Sequence, residues 1–284
     1  MGAITVVIIL SRTLFSFAAE GAVPPQKLTI AGLDVAVWTP PKTTPGPWPV
    51  IVFSHGFHGC NTQSTFLMQA LAEDGYAVFA PDHRDAACGN LRALLQKPVV
   101  PFAQPEGWSG ATYADRRQDI EQLIDALKAD PAYGAPPFDW DELGLVGHSL
   151  GGYTVLGLSG AWPTWKDPRV KAVVGLSPYS TPYLQRGKLD DLGVPVMYQG
   201  GTLDSGITPF VAKTGGVYDQ TRPPKYYIEL DGAGHMAWTD LRSTYHQAIM
   251  DYTLAFLDHY LKGKPFPPAL TEVHPGISAV RIAQ

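Results

Sequence analysis

Long apolar runs are scarce in this chain. One opens it, ITVVIIL at residues 4–10, and Arg12 soon interrupts. A membrane-spanning helix needs about 20 apolar residues, so no stable span is expected. Charge is also sparse, at 17 % of 284 residues, and the balance is acidic, with a net charge of −5. Nucleic acids and anionic membranes both require a basic face, so neither is an expected partner. The only cysteines are Cys60 and Cys88, and neither has the spacing of a metal-ligand set. No glycine-rich phosphate loop, internal repeat or low-complexity linker appears. An even cysteine count permits a disulfide if the protein is exported.

The hydrophobic content of 45 %, with 29 glycines and 26 prolines, suits a compact, loop-rich globular protein. Residues 1–22 read as a removable secretory signal. Small residues at Ser16/Ala18, or at Ala19/Gly21, fit a cleavage site, although a positive leading region is missing. A secreted or periplasmic location follows. Residues 23–284 are expected to form one domain, because strand and helix patterns alternate without a break from about residue 27 to 263. KLTIAG and DVAVWTP form an opening hairpin. PVIVFSHG (49–56), YAVFAPDH (76–83), LGLVGHS (143–149), VKAVVGLSP (170–178), PVMYQGG (195–201) and KYYIEL (225–230) read as buried strands. Helices fall at 63–74, 113–129, 151–158 and 243–261; the second carries Ile120, Leu123, Ile124 and Leu127 on one stripe. The fold class is therefore α/β, a mainly parallel sheet of about eight strands covered on both faces. The proline-rich tail KGKPFPPALTEVHPG is read as irregular.

In such sheets ligands bind beyond the carboxyl ends of the strands. Those ends carry Phe57, His58, Cys60, Asp82, His83, Cys88, Ser149, Tyr179, Asp204 and His235. GHSLG at 147–151 fits G-x-S-x-G, a strand-to-helix elbow that stands a serine hydroxyl clear of the turn. A serine needs a base, and in this arrangement the chain order is serine, acid, histidine. His235, in LDGAGHMAW after the last strand, is the expected base. His148 adjoins the serine but should leave the elbow in another direction. Asp204, in YQGGTLDSGITP, is the expected acid. Asp231 stands only four residues before His235 and is expected to tie its loop; Asp190 and Asp191 precede a strand; Asp82 comes before the serine. The oxyanion of a tetrahedral intermediate needs two N–H donors, expected from the backbones of Leu150 and Phe57. His55 and His58 with Asp82 suggest a metal at first sight, but a His-Gly pair at a strand end has a sufficient structural reading. No metal and no cofactor is implied.

With these residues in place the sequence resembles the α/β-hydrolase superfamily. Within it, the likeness is to platelet-activating-factor acetylhydrolases, dienelactone-hydrolase-like esterases and bacterial cutinase-type polyester hydrolases. It is carried by FSHGFHGCNTQS, GYAVFAPDHRDAACG, GHSLGG, GGTLDSGITP and YYIELDGAGHMAW. The resemblance implies Ser149 as nucleophile, Asp204 as acid, His235 as base, and Phe57 and Leu150 as oxyanion donors. Tyr179 stands where many polyester hydrolases have tryptophan, and Leu150 where methionine is common. Dienelactone hydrolases proper use a cysteine nucleophile, which Ser149 replaces. About 15 residues separate LSPYS from the next strand, too few for a helical cap, so an open cleft is expected. Phe57, Tyr179, Tyr183 and Trp238 are its candidate walls. Cys60 and Cys88 both fall on the catalytic face and are expected to form a disulfide that pins the oxyanion loop. The expected protein is a monomeric, cofactor-free serine esterase acting on small-molecule or polymeric esters. An acyltransferase or a peptidase on the same triad is the alternative.

Overall fold

The computed structural model describes residues 24–89 and 92–284. The expected signal at 1–22 lies outside the described residues. Ala31 and Gly32 turn the chain between β1 (Gln26–Ile30) and β2 (Leu33–Trp38). Both have positive φ, 52° and 80°, which suits the twist of a two-residue hairpin. Six strands then run parallel: β3 (Trp48–Ser54), β4 (Ala77–Pro81), β5 (Phe138–His148), β6 (Val170–Leu176), β7 (Val196–Gly201) and β8 (Lys225–Leu230). β9 (Ile277–Ala283) closes the sheet antiparallel to β8. The spatial order is β1-β2-β4-β3-β5-β6-β7-β8-β9.

The central strands read as continuous apolar runs because both their faces are covered. Along β3, Val50 and Val52 enter one core while Ile51 and Phe53 enter the other. The first core is roofed by α2 (Ala114–Ala129) and α3 (Leu150–Leu156); the second by α1 (Thr65–Glu73) and α7 (His246–Leu261). The stripe Ile120, Leu123, Ile124 and Leu127 on α2 is fully buried. At roughly 2 kcal/mol per side chain, this burial holds α2 in place. Three short helices complete the first side: α4 (Thr181–Arg186), α5 (Thr208–Ala212) and α6 (Val217–Gln220).

The fold class expected from the sequence is the one observed, with nine strands among the described residues. The ninth comes from the last residues of the chain, beyond the proline-rich stretch. That stretch is irregular apart from one turn of 3-10 helix at Pro268–Leu270. β5 begins at Phe138, five residues before the apolar run that marks it in the sequence. The loops at the carboxyl ends of β3 to β8 converge on one edge, and the candidate site lies there.

Candidate active site

Ser149 sits between β5 and α3 with φ 54° and ψ −114°, a conformation that L-residues rarely adopt. The flanking glycines permit it. A Cβ on Gly147 would lie 2.3 Å from the Gly151 carbonyl oxygen, and one on Gly151 would lie 1.9 Å from that of Ser54. A side chain at Gly147 would push α3 off the end of β5, and one at Gly151 would push it off β3. The hydroxyl of Ser149 donates to His235 Nε2 at 2.8 Å. His235 Nδ1–H donates to Asp204 Oδ2 at 3.0 Å. A carboxylate can only accept, so this pair of bonds sets the imidazole tautomer. Asp204 is buried, whereas the His235 side chain is 35 % exposed. The structure thus brings together the three side chains singled out in the sequence.

A fourth residue joins them. Ser177, fully buried just after β6, donates its hydroxyl to the same Asp204 Oδ2 and lies 2.9 Å from His235 Nδ1. Sequence reasoning passed over it. Its signal was a lone hydroxyl at the end of β6, and only the strand order places β6 between the strands of Ser149 and Asp204.

The N–H groups of Phe57 and Leu150 have no acceptor among the described residues. Phe57 and Ser149 line one cleft of about 310 Å3, with His58, His235, Met236 and Leu241 around it. Cys60 and Cys88 are joined in a disulfide, Cα to Cα 5.6 Å, and Cys88 borders the same cleft. The Ala87 N–H also bonds to the Gly59 carbonyl at 2.9 Å, so a covalent and a hydrogen-bonded tie link the loop after β3 to the loop after β4.

Three expected cleft walls lie instead in the protein interior. Tyr179 packs on Phe102 and Trp108, and its hydroxyl donates to the Phe102 carbonyl at 2.7 Å. Tyr183 donates to the Tyr153 carbonyl at 2.6 Å and stacks on that ring. Trp238 is fully buried, and its indole N–H donates to Gln199 Oε1 at 3.0 Å, tying the His235 loop to β7. Each ring finds both apolar contacts and a polar partner inside, so burial satisfies it fully. Of the four walls expected, Phe57 alone lines the cleft with Ser149. Met236 and Leu241, 43 % and 75 % exposed, supply apolar surface there.

His148 borders the cleft beside His235, their ring centroids 4.9 Å apart, and its two nitrogens are engaged outside the Ser149–His235–Asp204 line. Its Nε2–H donates to the His235 carbonyl at 2.9 Å, and its Nδ1 accepts from Gln63 Nε2 at 3.0 Å. Gln63 Oε1 in turn accepts from the Gly56 N–H at 2.9 Å. Burial, then the nearby His235 ring, pushes the His148 pKa down to about 3, so it bridges the two loops as a neutral ring. The three residues that had suggested a metal are engaged elsewhere. His55 donates from Nδ1 to the Gly56 carbonyl and accepts at Nε2 from the His83 N–H. His58 donates to the Gln96 carbonyl, and Asp82 accepts from the Asn61 N–H.

A serine elbow at the carboxyl edge of this sheet, with a histidine and a carboxylate delivered in that chain order by later loops, defines an α/β-hydrolase. The sequence profile of the Dienelactone hydrolase family matches residues 33–214, and the chain belongs to that family. The match ends before His235. Two relatives from Thermobifida alba, cutinase est2 and cutinase est1, are 25 % and 24 % identical over 213 residues. Each alignment covers 74 % of this chain and 59 % or 60 % of the cutinase. A platelet-activating factor acetylhydrolase from Canis lupus familiaris is 26 % identical over 151 residues, 43 % of this chain and 34 % of that protein. The chain therefore matches about three fifths of the length of the two cutinases.

Proposed function

We propose that this protein is an exported serine carboxylic-ester hydrolase that works through an acyl-enzyme. The observation that carries this reading is the unbroken hydrogen-bonded line from Ser149 through His235 to Asp204. Ser149 Oγ attacks the ester carbonyl while His235 Nε2 takes its proton, and Asp204 stabilises the imidazolium. The N–H groups of Leu150 and Phe57 hold the oxyanion; one such donor is worth about 3 kcal/mol in comparable sites. The imidazolium then protonates the departing alcohol. Water, activated by the same histidine, releases the acid. No cofactor enters this scheme.

The names of the relatives, cutinases and an acetylhydrolase, support ester hydrolysis. The partly exposed His235 and the apolar rim of Met236 and Leu241 suit short-chain esters and esters carried on bulky or polymeric substrates. The Cys60–Cys88 disulfide supports an oxidising compartment. No helix among the described residues is long and apolar enough to cross a membrane. We further read residues 23–284 as one catalytic unit acting as a monomer.

Hydrolysis of p-nitrophenyl esters from acetate to palmitate, alongside an aromatic polyester film, tests the reading, with Ser149→Ala as control. Turnover that falls with acyl length and vanishes in the variant is expected, and soluble products from the film would add polymers to the substrate range. Serine-independent turnover, or none on any ester, would overturn it. Preferential transfer to an added alcohol would instead make the protein an acyltransferase, and amide cleavage a peptidase.

A further inference from the structure

Beneath the loop that carries Phe57 lies a group of buried ionisable side chains that the reaction scheme does not use. Arg116, on the first turn of α2, is 0 % exposed. Its guanidinium forks onto Asp85, Nε to Oδ1 at 3.0 Å and Nη2 to Oδ2 at 2.7 Å. The outer edge of the same group turns to the backbone: Nη1 donates to the His55 carbonyl at 2.7 Å and Nη2 to the Gly56 carbonyl at 3.3 Å. His83 stands beside it, donating to Asp119 at 2.8 Å and accepting from Ser54 at 2.9 Å. Burying a charged pair costs desolvation energy that mutual attraction often fails to return. Stability alone is a poor reason for Arg116 to occupy a position on the apolar stripe of α2.

The geometry of the peptide bond supplies a better one. In a trans peptide the C=O and the following N–H point in opposite directions. The Gly56 carbonyl is held on the core side by three donors: Arg116 Nη2, His55 Nδ1 at 2.7 Å and the Gly59 N–H at 2.9 Å. The N–H on the other side of that peptide belongs to Phe57. It faces away from the clamp, and Phe57 lines the cleft that contains Ser149. We propose that Arg116 is a positioning residue for the oxyanion hole, fixing the His55 and Gly56 carbonyls inward so that the Phe57 N–H is aimed at the ester carbonyl oxygen. Asp85 holds the guanidinium in the plane that reaches both carbonyls. Burial and the charge of Arg116 keep His55 and His83 well below the ordinary histidine pKa, so His55 retains the neutral tautomer that donates to Gly56. The inference rests on the serine-esterase reading above.

Lysine at 116 keeps the charge but presents one ammonium, which cannot fork onto Asp85 and still bind two carbonyls. The test compares wild type, Ser149→Ala, Arg116→Lys and Asp85→Asn on p-nitrophenyl acetate, with a trifluoromethyl ketone as a probe that forms a tetrahedral oxyanion on the serine. Wild-type turnover that is absent in Ser149→Ala secures the underlying reading; its failure there would be seen before the Arg116 variants are considered. For Arg116→Lys, kcat and ketone affinity should fall together by about 10- to 100-fold, with KM within about twofold, because the lost alignment matters only once charge develops on the oxygen. Asp85→Asn should show the same split at smaller size, and it decides the matter if Arg116→Lys does not fold. A folded variant with unchanged ketone affinity, or with the loss confined to KM or melting temperature, would overturn the proposal.

Discussion

The Ser177 hydroxyl donates to Oδ2 of Asp204, the oxygen that also accepts the Nδ1 proton of His235. A buried carboxylate is costly unless its lone pairs are filled, and the fully buried Ser177 fills one. It also keeps the carboxylate from rotating away from the imidazole. Ser177→Ala should lower kcat by about tenfold, consistent with one hydrogen bond to a charged group at roughly 1.5 kcal/mol, and lower the melting temperature by roughly 3–6 °C. Steady-state kinetics on a p-nitrophenyl ester checks this; unchanged kcat would show that His235 alone orients Asp204.

The disulfide ties the loop carrying the proposed oxyanion donor to the loop after β4, and the two cysteines are 28 residues apart. Closing a loop of that length stabilises a chain by about 3.5 kcal/mol on the chain-entropy estimate. Reduction, or the Cys60→Ser/Cys88→Ser pair, should lower the melting temperature by roughly 10 °C and reduce esterase activity before global unfolding. An unchanged melt, with two titratable thiols in the untreated protein, would contradict this.

Apolar surface at the cleft is assigned to Met236 and Leu241, and a structural role to Trp238. Met236→Ala should raise KM for longer acyl chains more than for acetate and leave the fold unchanged. Trp238→Ala should instead destabilise by about 3–5 kcal/mol, as for other fully buried large side chains. Urea unfolding and an acyl-chain series on the two variants separate these effects. The reverse pattern would return Trp238 to the cleft wall.

Much of the fold was legible because its determinants are local. Strands covered on both faces read as apolar runs, and the elbow's glycines announce themselves because the backbone of β3 and α3 leaves no room for a Cβ. Chain order and strand ends were enough to choose Ser149, Asp204 and His235 from eight histidines and many carboxylates. What escaped depends on neighbours distant in sequence. Tyr179, Tyr183 and Trp238 follow strands at the catalytic edge, but whether an aromatic faces the cleft or the core is decided by the segment packed on it, here Phe102 and Trp108 for Tyr179. Phe138 to Glu142 lengthens β5 despite its acidic residues because Trp48 and Phe138 pair edge to face at the sheet end. Arg116 did leave a trace: it stands four residues before Ile120, a charge on the helix stripe that is otherwise apolar. Charge on a core-facing position is the signal that a sequence reader could have used.

Acid stability should report on the same arginine. Burial raises the Asp85 pKa, but the Arg116 guanidinium overcomes it and holds the carboxyl down to about 2, against an ordinary 3.8. The folded pKa is depressed, so the stabilisation is complete above about pH 4 and is lost as pH falls through 2. The shift corresponds to about 2 kcal/mol. Asp85→Asn should therefore be less stable than wild type at pH 6, and the gap should narrow by roughly two thirds of that amount on going to pH 2.5. Urea unfolding at the two pH values measures it; a gap independent of pH would mean that Asp85 is not the ionised partner of Arg116.

If Ser149 is a nucleophile activated by His235, it can be trapped covalently. Wild type, Ser149→Ala and His235→Ala are treated with a fluorophosphonate, digested and mapped by mass spectrometry. One adduct per chain is expected, on Ser149, absent from Ser149→Ala and formed at least about 100-fold more slowly in His235→Ala. An adduct on another residue, or labelling of Ser149 at the same rate without His235, would contradict it.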